Sequence, residues 1–88
     1  GPNDLAASMG LPLGLDNRHP DHQAAVTKIL QTANDFNIPA GIHCASAEEA
    51  HRRITEGFLW LPITSDAKFL TGAALRTLEQ VKNPPEVV

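Results

Sequence analysis

Residues 40–49 read Ala-Gly-Ile-His-Cys-Ala-Ser-Ala-Glu-Glu, and they decide the fold because a strand passes here directly into a capped helix. Residues 40–45 follow Pro39 and are too few and too tightly bounded to form a helix. Ser46 and Glu49 then form a capping box, in which the serine oxygen and the glutamate carboxylate satisfy free amides at a helix start. The stretch therefore predicts a short strand followed at once by a helix.

The same alternation continues on the upstream side. Residues 11–19 contain Pro and Gly without any regular period, which predicts a loop. Pro20 suits the first turn of a helix, and Asp21 complements its positive end. Asn37 is a suitable C-terminal cap, and Pro39 prevents continuation. The apolar residues of this helix recur at helical spacing and form one stripe: Ala25, Val26, Ile29, Leu30, Ala33 and Phe36.

The alternation also continues downstream. Gly57 suits a left-handed cap that ends the helix begun at the capping box. Residues 58–63 are apolar on both faces, which is typical of a parallel strand covered by helices and places Trp60 in the core. Ser65 or Asp66 caps a last helix with one apolar side, formed by Leu70, Ala73, Ala74, Leu78 and Val81.

The order of elements is turn, helix, strand, helix, strand, helix. Such alternation predicts an α/β protein with parallel strands joined by crossover helices. Two strands leave two open edges and little sheet for the helices to cover. We therefore expect neighbouring elements on both sides of this pair.

Composition excludes several function classes. The 88 residues carry a net charge of -3 and only seven scattered Lys and Arg residues, so we expect neither nucleic acid nor an anionic membrane as partner. The single cysteine, Cys44, excludes an intrachain disulfide and suits a reducing, cytoplasmic compartment. The longest apolar run, residues 58–63, is too short to span a bilayer.

A family resemblance is carried by five stretches. They are Gly-Pro-Asn-Asp-Leu-Ala-Ala-Ser-Met-Gly at 1–10, His-Pro at 19–20, Pro-Ala-Gly-Ile at 39–42, Glu-Gly-Phe at 56–58 and Thr-Ser-Asp at 64–66. Together they resemble the C-terminal third of the HpcH/HpaI aldolase family, metal-dependent class II pyruvate aldolases of the citrate lyase beta-like superfamily. The resemblance covers residues 1–82 and leaves 83–88 as a tail. It implies the end of strand six to helix eight of a (β/α)8 TIM barrel, the rest lying outside this chain.

The resemblance also implies a chemistry. The enolate of pyruvate, or of a related 2-oxo acid such as oxaloacetate, adds to an aldehyde, and the reverse reaction cleaves a 2-oxo-4-hydroxy acid. A divalent cation (Mg²⁺, Mn²⁺ or Co²⁺) stabilises the enolate charge, and Asp4 takes the position of a metal ligand. The alternative for Asp4 is a helix N-cap. The second acidic ligand, the general-base His and an Arg fall outside the chain, so we expect no catalytic residue within it.

Three residues are candidates for substrate binding. Gly1 and Asn3 occupy the positions whose main-chain amides hold the substrate carboxylate in relatives, and backbone donors tolerate the unusual Asn3 side chain. His43 stands at the mouth of a strand where relatives often carry an aliphatic residue. It could hydrogen-bond a hydroxyl or carboxylate of the acceptor substrate, or be a structural histidine.

The remaining polar residues have structural interpretations. His19 and His22 suit capping and solvation better than zinc binding, since no further His or Cys completes a site. Cys44 on a strand is expected to be buried and unreactive. Asp66 is expected to cap a helix rather than touch substrate. A solvated helix face is predicted for His51, Arg52 and Arg53.

Two other functions stay open from the sequence. One is a citrate or malyl-thioester lyase of the same superfamily, which would need basic residues for coenzyme A outside this chain. The other is a non-catalytic structural or assembly fragment, because only one ligand of the required set is present. The resemblance implies a homo-oligomer. Because only one metal ligand and no general base are present, we expect the isolated chain to be inactive. Its open strand edges and uncovered helix stripes predict that it associates.

Overall fold

The computed structural model describes residues 1–86, so Val87 and Val88 of the expected tail lie outside the described residues. Four helices follow in chain order: α1 (Pro2–Ser8), α2 (Pro20–Asp35), α3 (Ala47–Glu56) and α4 (Asp66–Lys82). The opening stretch is thus a short helix as well as a turn. The helices predicted after Pro20, after the capping box and after Ser65 are confirmed.

Two extended segments, residues 40–44 and 59–64, run in parallel and are joined by α3. Isolated bridges pair Gly41 with Trp60 and Cys44 with Ile63. Backbone hydrogen bonds at both ends support the pairing: the amide of Leu59 to Ala40 O at 2.8 Å, and that of Thr64 to Cys44 O at 2.7 Å. The predicted parallel pairing is therefore present, in a shorter form than two full strands.

The pairing is interrupted in the middle for a chemical reason. Ile42 donates to Trp60 O and Cys44 donates to Pro62 O, at 2.9 and 2.8 Å. In a parallel ladder the Ile42 carbonyl would next accept from the amide of residue 62. That residue is Pro62, which has no N–H, so one bond of the ladder cannot form.

A small core lies between α2, α3 and the two extended segments. Its buried hydrophobic residues are Val26, Leu30, Ile42, Cys44, Ala50 and Phe58. Leu5 of α1 packs against its edge, together with Ala40 and Leu61. Of the apolar stripe predicted for α2, Val26 and Leu30 lie in the core, whereas Ile29 and Phe36 are exposed. The short helix α1 covers only the margin of the core.

Local capping explains where the helices begin and end. Asn37 has φ 54° after α2, and the next amide, that of Ile38, donates back to Ala33 O at 2.8 Å. Gly57 has φ 117° after α3. Both residues have the left-handed conformation of a C-terminal cap, as predicted. Ser46 Oγ accepts from the Glu49 amide at 3.1 Å, which confirms half of the capping box.

The apolar residues of α4 and of the second extended segment are largely exposed. No residue of α4 is buried within the described structure. Leu70 and Leu78 lie open to solvent, and Trp60 is 72% exposed. The prediction that Trp60 lies in the core is therefore wrong, because no described element packs over it. The described chain extends over 59 × 27 × 22 Å.

The lengths and hydrophobicity of the four helices differ from those of membrane-spanning helices. Within residues 1–86, each helix is either too short or too polar to cross a bilayer.

Candidate functional site

An open cleft of about 410 Å³ lies at the end of the paired segments. Residues from the carboxyl ends of both segments line it, together with α1, the following loop and the start of α4: Asn3, Leu15, His43, Ala45, Thr64, Ser65 and Lys68. Carboxyl ends of parallel strands meet at one edge of a sheet, where binding residues gather. The cleft is therefore the candidate site.

Asp4 lies in the first turn of α1, beside the cleft residue Asn3. Gly1 is the N-cap of this helix, so Asp4 is its third residue and makes no capping bond. The alternative prediction, that Asp4 is itself the N-cap, is wrong. A Cβ placed on Gly1 would lie 2.9 Å from Asp4 Oδ2. Because Gly1 has no side chain, the exposed Asp4 carboxylate can lie close to the Gly1 backbone.

Asn3 has two roles in the structure. Its side-chain Oδ1 accepts a hydrogen bond from the Gly14 amide at 2.8 Å, which ties the loop of residues 11–19 to α1. The first intrahelical bond of α1 runs from Leu5 to Gly1 O, at 2.9 Å. The Asn3 and Asp4 amides precede that bond and have no intrahelical acceptor. The start of α1, where the resemblance places the binding of a substrate carboxylate, thus has main-chain N–H groups free of intrahelical bonds.

His43 is half-buried and held against the other segment. Its Nε2 lies 2.6 Å from Thr64 O. A carbonyl oxygen only accepts, so Nε2 carries the hydrogen and Nδ1 of the neutral ring is left as an acceptor. The bond supports the structural interpretation of His43, while its place in the lining keeps it within reach of a bound molecule.

Thr64 is a site residue that reasoning from the sequence missed. Its φ is 51°, in the left-handed region that β-branched residues rarely adopt. Strained backbone of this kind is concentrated at functional sites and must be held by surrounding bonds. The His43 ring and the Cys44 carbonyl provide two such bonds. The available signal was its place in the Thr-Ser-Asp stretch that carries part of the family resemblance.

Lys68 supplies the positive charge of the cleft. Its amide donates to Ser65 Oγ at 3.2 Å, which makes Ser65 the cap of α4. The prediction that Asp66 caps this helix is wrong, because Asp66 is the first residue of α4 and, within residues 1–86, its carboxylate accepts only from the Ala67 amide, at 2.7 Å. Asp66 is not among the described residues that line the cleft. Among the residues described as lining the cleft none is acidic. The cleft therefore suits an anionic ligand.

The two histidines at the start of α2 differ in burial: His19 is exposed and His22 is buried. His19 is the N-cap of α2, and its Nδ1 accepts from the Asp21 amide at 3.2 Å, as the capping interpretation predicted. His22 is fully buried, with Nε2 3.0 Å from Pro2 O. The prediction that His22 is solvated is wrong, because α1 packs over it. No three His, Cys, Asp or Glu residues of the described chain form a metal-binding group.

A buried ion pair stabilises the start of α3. Glu49 is fully buried; its Oε1 accepts from the Ala45 amide at 2.6 Å and its Oε2 from Arg53 Nε at 3.1 Å. Arg53 also donates to Glu56 at 3.1 Å. Burial alone would lower the pKa of Arg53, but the bonds to Glu56 and Glu49 outweigh it and raise that pKa. The prediction that Arg53 lies on a solvated helix face is therefore wrong. The capping box also differs from the prediction, because the Glu49 carboxylate accepts from the amide of Ala45 and not from that of the cap residue Ser46.

A second ion pair ties the 11–19 loop to α3. Asp16 accepts hydrogen bonds from Arg52 at 2.5 Å and from Arg18 at 3.0 Å. Burial would raise the pKa of the Asp16 carboxyl, but the two guanidinium groups outweigh burial and lower it. Arg52 is half-buried, so the solvated-face prediction is wrong for it too. The loop that carries the cleft residue Leu15 is therefore bonded both to α1, through Asn3, and to α3, through Arg52.

Cys44 behaves as predicted from its position. The thiol is free and fully buried. Burial, and to a smaller extent the negative charge of Glu49, raise the pKa of the Cys44 thiol. Because the reactive form is the thiolate, this cysteine is not suited to be a nucleophile.

Comparison with known proteins gives one informative match. The chain is similar to an aldolase. It is 35% identical over 83 residues to hydroxypyruvate/pyruvate aldolase of Paraburkholderia phytofirmans, a match that covers 94% of this chain and 31% of that protein. The chain thus spans about a third of the length of this relative. No protein-family profile matches the chain. The match supports an aldolase-like relationship.

Proposed function

We propose that this chain is the C-terminal part of a (β/α)8 barrel aldolase of the HpcH/HpaI family that acts on a 2-oxo acid and an aldehyde. The observation that carries the proposal is the cleft, which brings the α1 turn together with the ends of two parallel segments. Active sites of such barrels lie at this face. The similarity to a pyruvate aldolase over 94% of the chain supports the same activity.

The exposed apolar surfaces also support a larger barrel. Trp60 and Leu59 of the second segment and the stripe of α4 are open in the described chain. In a closed barrel, strands have neighbours on both edges and helices pack on the sheet. The rest of the parent protein, and further copies in a homo-oligomer, would cover these surfaces.

Asp4 fits the role of a metal ligand in part. Its carboxylate is exposed, makes no ion pair within residues 1–86 and stands beside the glycine that gives it room. Hard divalent cations prefer oxygen ligands and accept one or two carboxylates together with water and substrate oxygens. When bound, the cation would supply Lewis-acid stabilisation of the enolate. The further protein ligands would have to come from another part of the parent protein.

Residues of the α1 turn and of the cleft would orient the substrates. The free amides at the start of α1, including that of Asn3 after Gly1, are donors for the carboxylate of a 2-oxo acid. His43 lines the cleft, and its Nδ1 would accept a hydrogen bond from a hydroxyl of the aldehyde substrate while Nε2 donates to Thr64 O. Lys68 adds a positive charge to a lining that has no acidic residue among its described members. The free amides of α1 and the positive charge of Lys68 favour anionic substrates such as pyruvate or oxaloacetate.

The test is the exchange of pyruvate methyl protons in D₂O, followed by NMR with Mg²⁺ or Mn²⁺ and the natural full-length protein. Exchange reports enolate formation without an aldehyde. We expect Asp4→Asn to abolish exchange and to weaken Mn²⁺ binding at least about tenfold, since even loss of a ligand's supporting partner has that effect. Asp21→Asn, at an equally exposed helix start, is the matched control.

Three results separate the alternatives. Unchanged exchange in Asp4→Asn would remove Asp4 from the site. Absence of exchange in the unaltered protein would contradict the aldolase proposal and favour its two alternatives, the citrate or malyl-thioester lyase and the non-catalytic assembly role. In His43→Leu we expect pyruvate exchange to persist and the preference among aldehydes to change. An unchanged aldehyde preference would leave His43 with its structural bond to Thr64 alone.

A further inference from the structure

A buried imidazole lies directly beneath the turn that carries Asp4. His22, in the first turn of α2, has 0% of its surface exposed. Its Nε2 lies 3.0 Å from the carbonyl oxygen of Pro2, the first residue of α1. Because that oxygen only accepts, Nε2 carries the hydrogen. The bond joins the Asp4-bearing turn to a helix of the core.

The rest of the imidazole is poorly satisfied. With the hydrogen on Nε2, Nδ1 of the neutral ring is an acceptor, and among the described residues it is buried without a partner. Burying an unpaired acceptor is unfavourable. Position 22 is also four and eight residues before Val26 and Leu30, on the same face of α2. An aliphatic side chain at position 22 would continue this face without an unpaired atom.

Other contacts do not replace this bond. Pro2 and Ala6 are buried and give α1 an apolar contact, which has no directional preference. The Asn3 side chain bonds to Gly14, which belongs to a loop rather than to a packed helix. The His22 bond therefore adds a directional restraint two residues from Asp4, anchored in a core helix.

From these observations we propose that His22 is a positioning residue, which fixes the first turn of α1 and so the direction of the Asp4 carboxylate, and that it does this at some loss of stability. The metal-binding consequence rests on the proposed function. The restraint on α1 itself does not.

The proposal separates His22 from an ordinary core residue. We expect His22→Leu in the natural full-length protein to keep or increase stability against urea. At the same time the Leu5 amide, which bonds to Gly1 in the first turn, should exchange with solvent about tenfold faster, as expected for the loss of one hydrogen bond. Mn²⁺ binding should weaken by a similar factor.

A conservative variant and a control complete the test. In His22→Gln the amide nitrogen can take the place of Nε2, so we expect both Leu5 exchange and Mn²⁺ affinity to return toward their original values. His51→Leu, at an exposed position of α3, should change neither.

The outcomes are distinguishable. If His22→Leu loses stability while Leu5 exchange and Mn²⁺ affinity stay unchanged, or if Gln restores neither, the positioning role is overturned. If the unaltered protein binds no Mn²⁺ but the exchange and rescue pattern holds, the positioning role stands and the metal role of Asp4 fails.

Discussion

Glu49 offers a quantitative test of the energetics beside the cleft. The Glu49→Gln change keeps an oxygen for the Ala45 amide but removes the charge that faces Arg53. The Glu49 side chain is fully buried, and the Arg53 side chain is only 7% exposed. Breaking a buried pair from one side typically costs about 3–5 kcal/mol, because the other charge remains buried. Arg53 keeps its ion pair with the partly exposed Glu56 in this variant. We therefore expect a destabilisation at the lower end of this range, about 3 kcal/mol.

The assay is urea unfolding of the natural full-length protein, followed by circular dichroism. Glu48→Gln is the matched control, since Glu48 is an exposed neighbour in the same helical turn. Its loss should change stability by no more than about 0.5 kcal/mol. A destabilisation below about 1 kcal/mol for Glu49→Gln would refute the reasoning, because it would mean that the buried charge of Arg53 is satisfied without Glu49.

Two further predictions concern close packing and acid stability. Gly41→Ala would place a Cβ 2.6 Å from Trp60 O and should cost about 1–3 kcal/mol in urea unfolding, whereas Gly14→Ala, which meets open space, serves as control. The lowered pKa of Asp16 stabilises the fold above the ordinary carboxyl pKa of 3.8, and this contribution is lost as pH falls through the lowered value. In Asp16→Asn the free energy of unfolding should therefore fall less steeply as the pH drops below about 4. If the variant and the unaltered protein lose stability equally in this pH range, the ion pair between Asp16 and Arg52 is contradicted.

Helix ends could be predicted from the sequence because capping chemistry is local. Ser46, Asn37 and Gly57 each act through bonds to residues within five positions, and each does so in the structure. The parallel pairing was predictable for a related reason, since two short apolar stretches separated by one helix favour it. The interruption of the ladder at Pro62 was visible in the sequence as well, but its effect depends on the register of the pair.

Burial was harder to predict because it depends on residues far apart in the chain. Trp60 has apolar neighbours on both sides, yet it is exposed because burial requires a packed partner element. Arg53 has a polar sequence context, yet it is buried between Glu49 and the Phe58 ring, 6.0 Å away. The signal that could have identified this pair was the spacing of four residues between Glu49 and Arg53.

The candidate site shows the same division between local and distant information. Asp4, Asn3 and His43 were singled out from the sequence, but the sequence did not indicate which bonds hold them. The structure adds the Thr64 carbonyl for His43 and the Gly14 amide for Asn3. The sequence predicts that His22 is solvated, whereas in the structure it is buried because α1 packs over the start of α2.

The long-range polar bonds of the chain act on the backbone around the cleft more than on the core. His22 holds Pro2, Asn3 holds the loop that carries Leu15, and His43 holds Thr64. The described core is small, and apolar contacts fix no direction for a main-chain group. Directional bonds are therefore what determines the position of the α1 turn relative to the segment ends. Such an arrangement would suit the proposed site, in which main-chain amides and the Asp4 carboxylate must keep a set geometry.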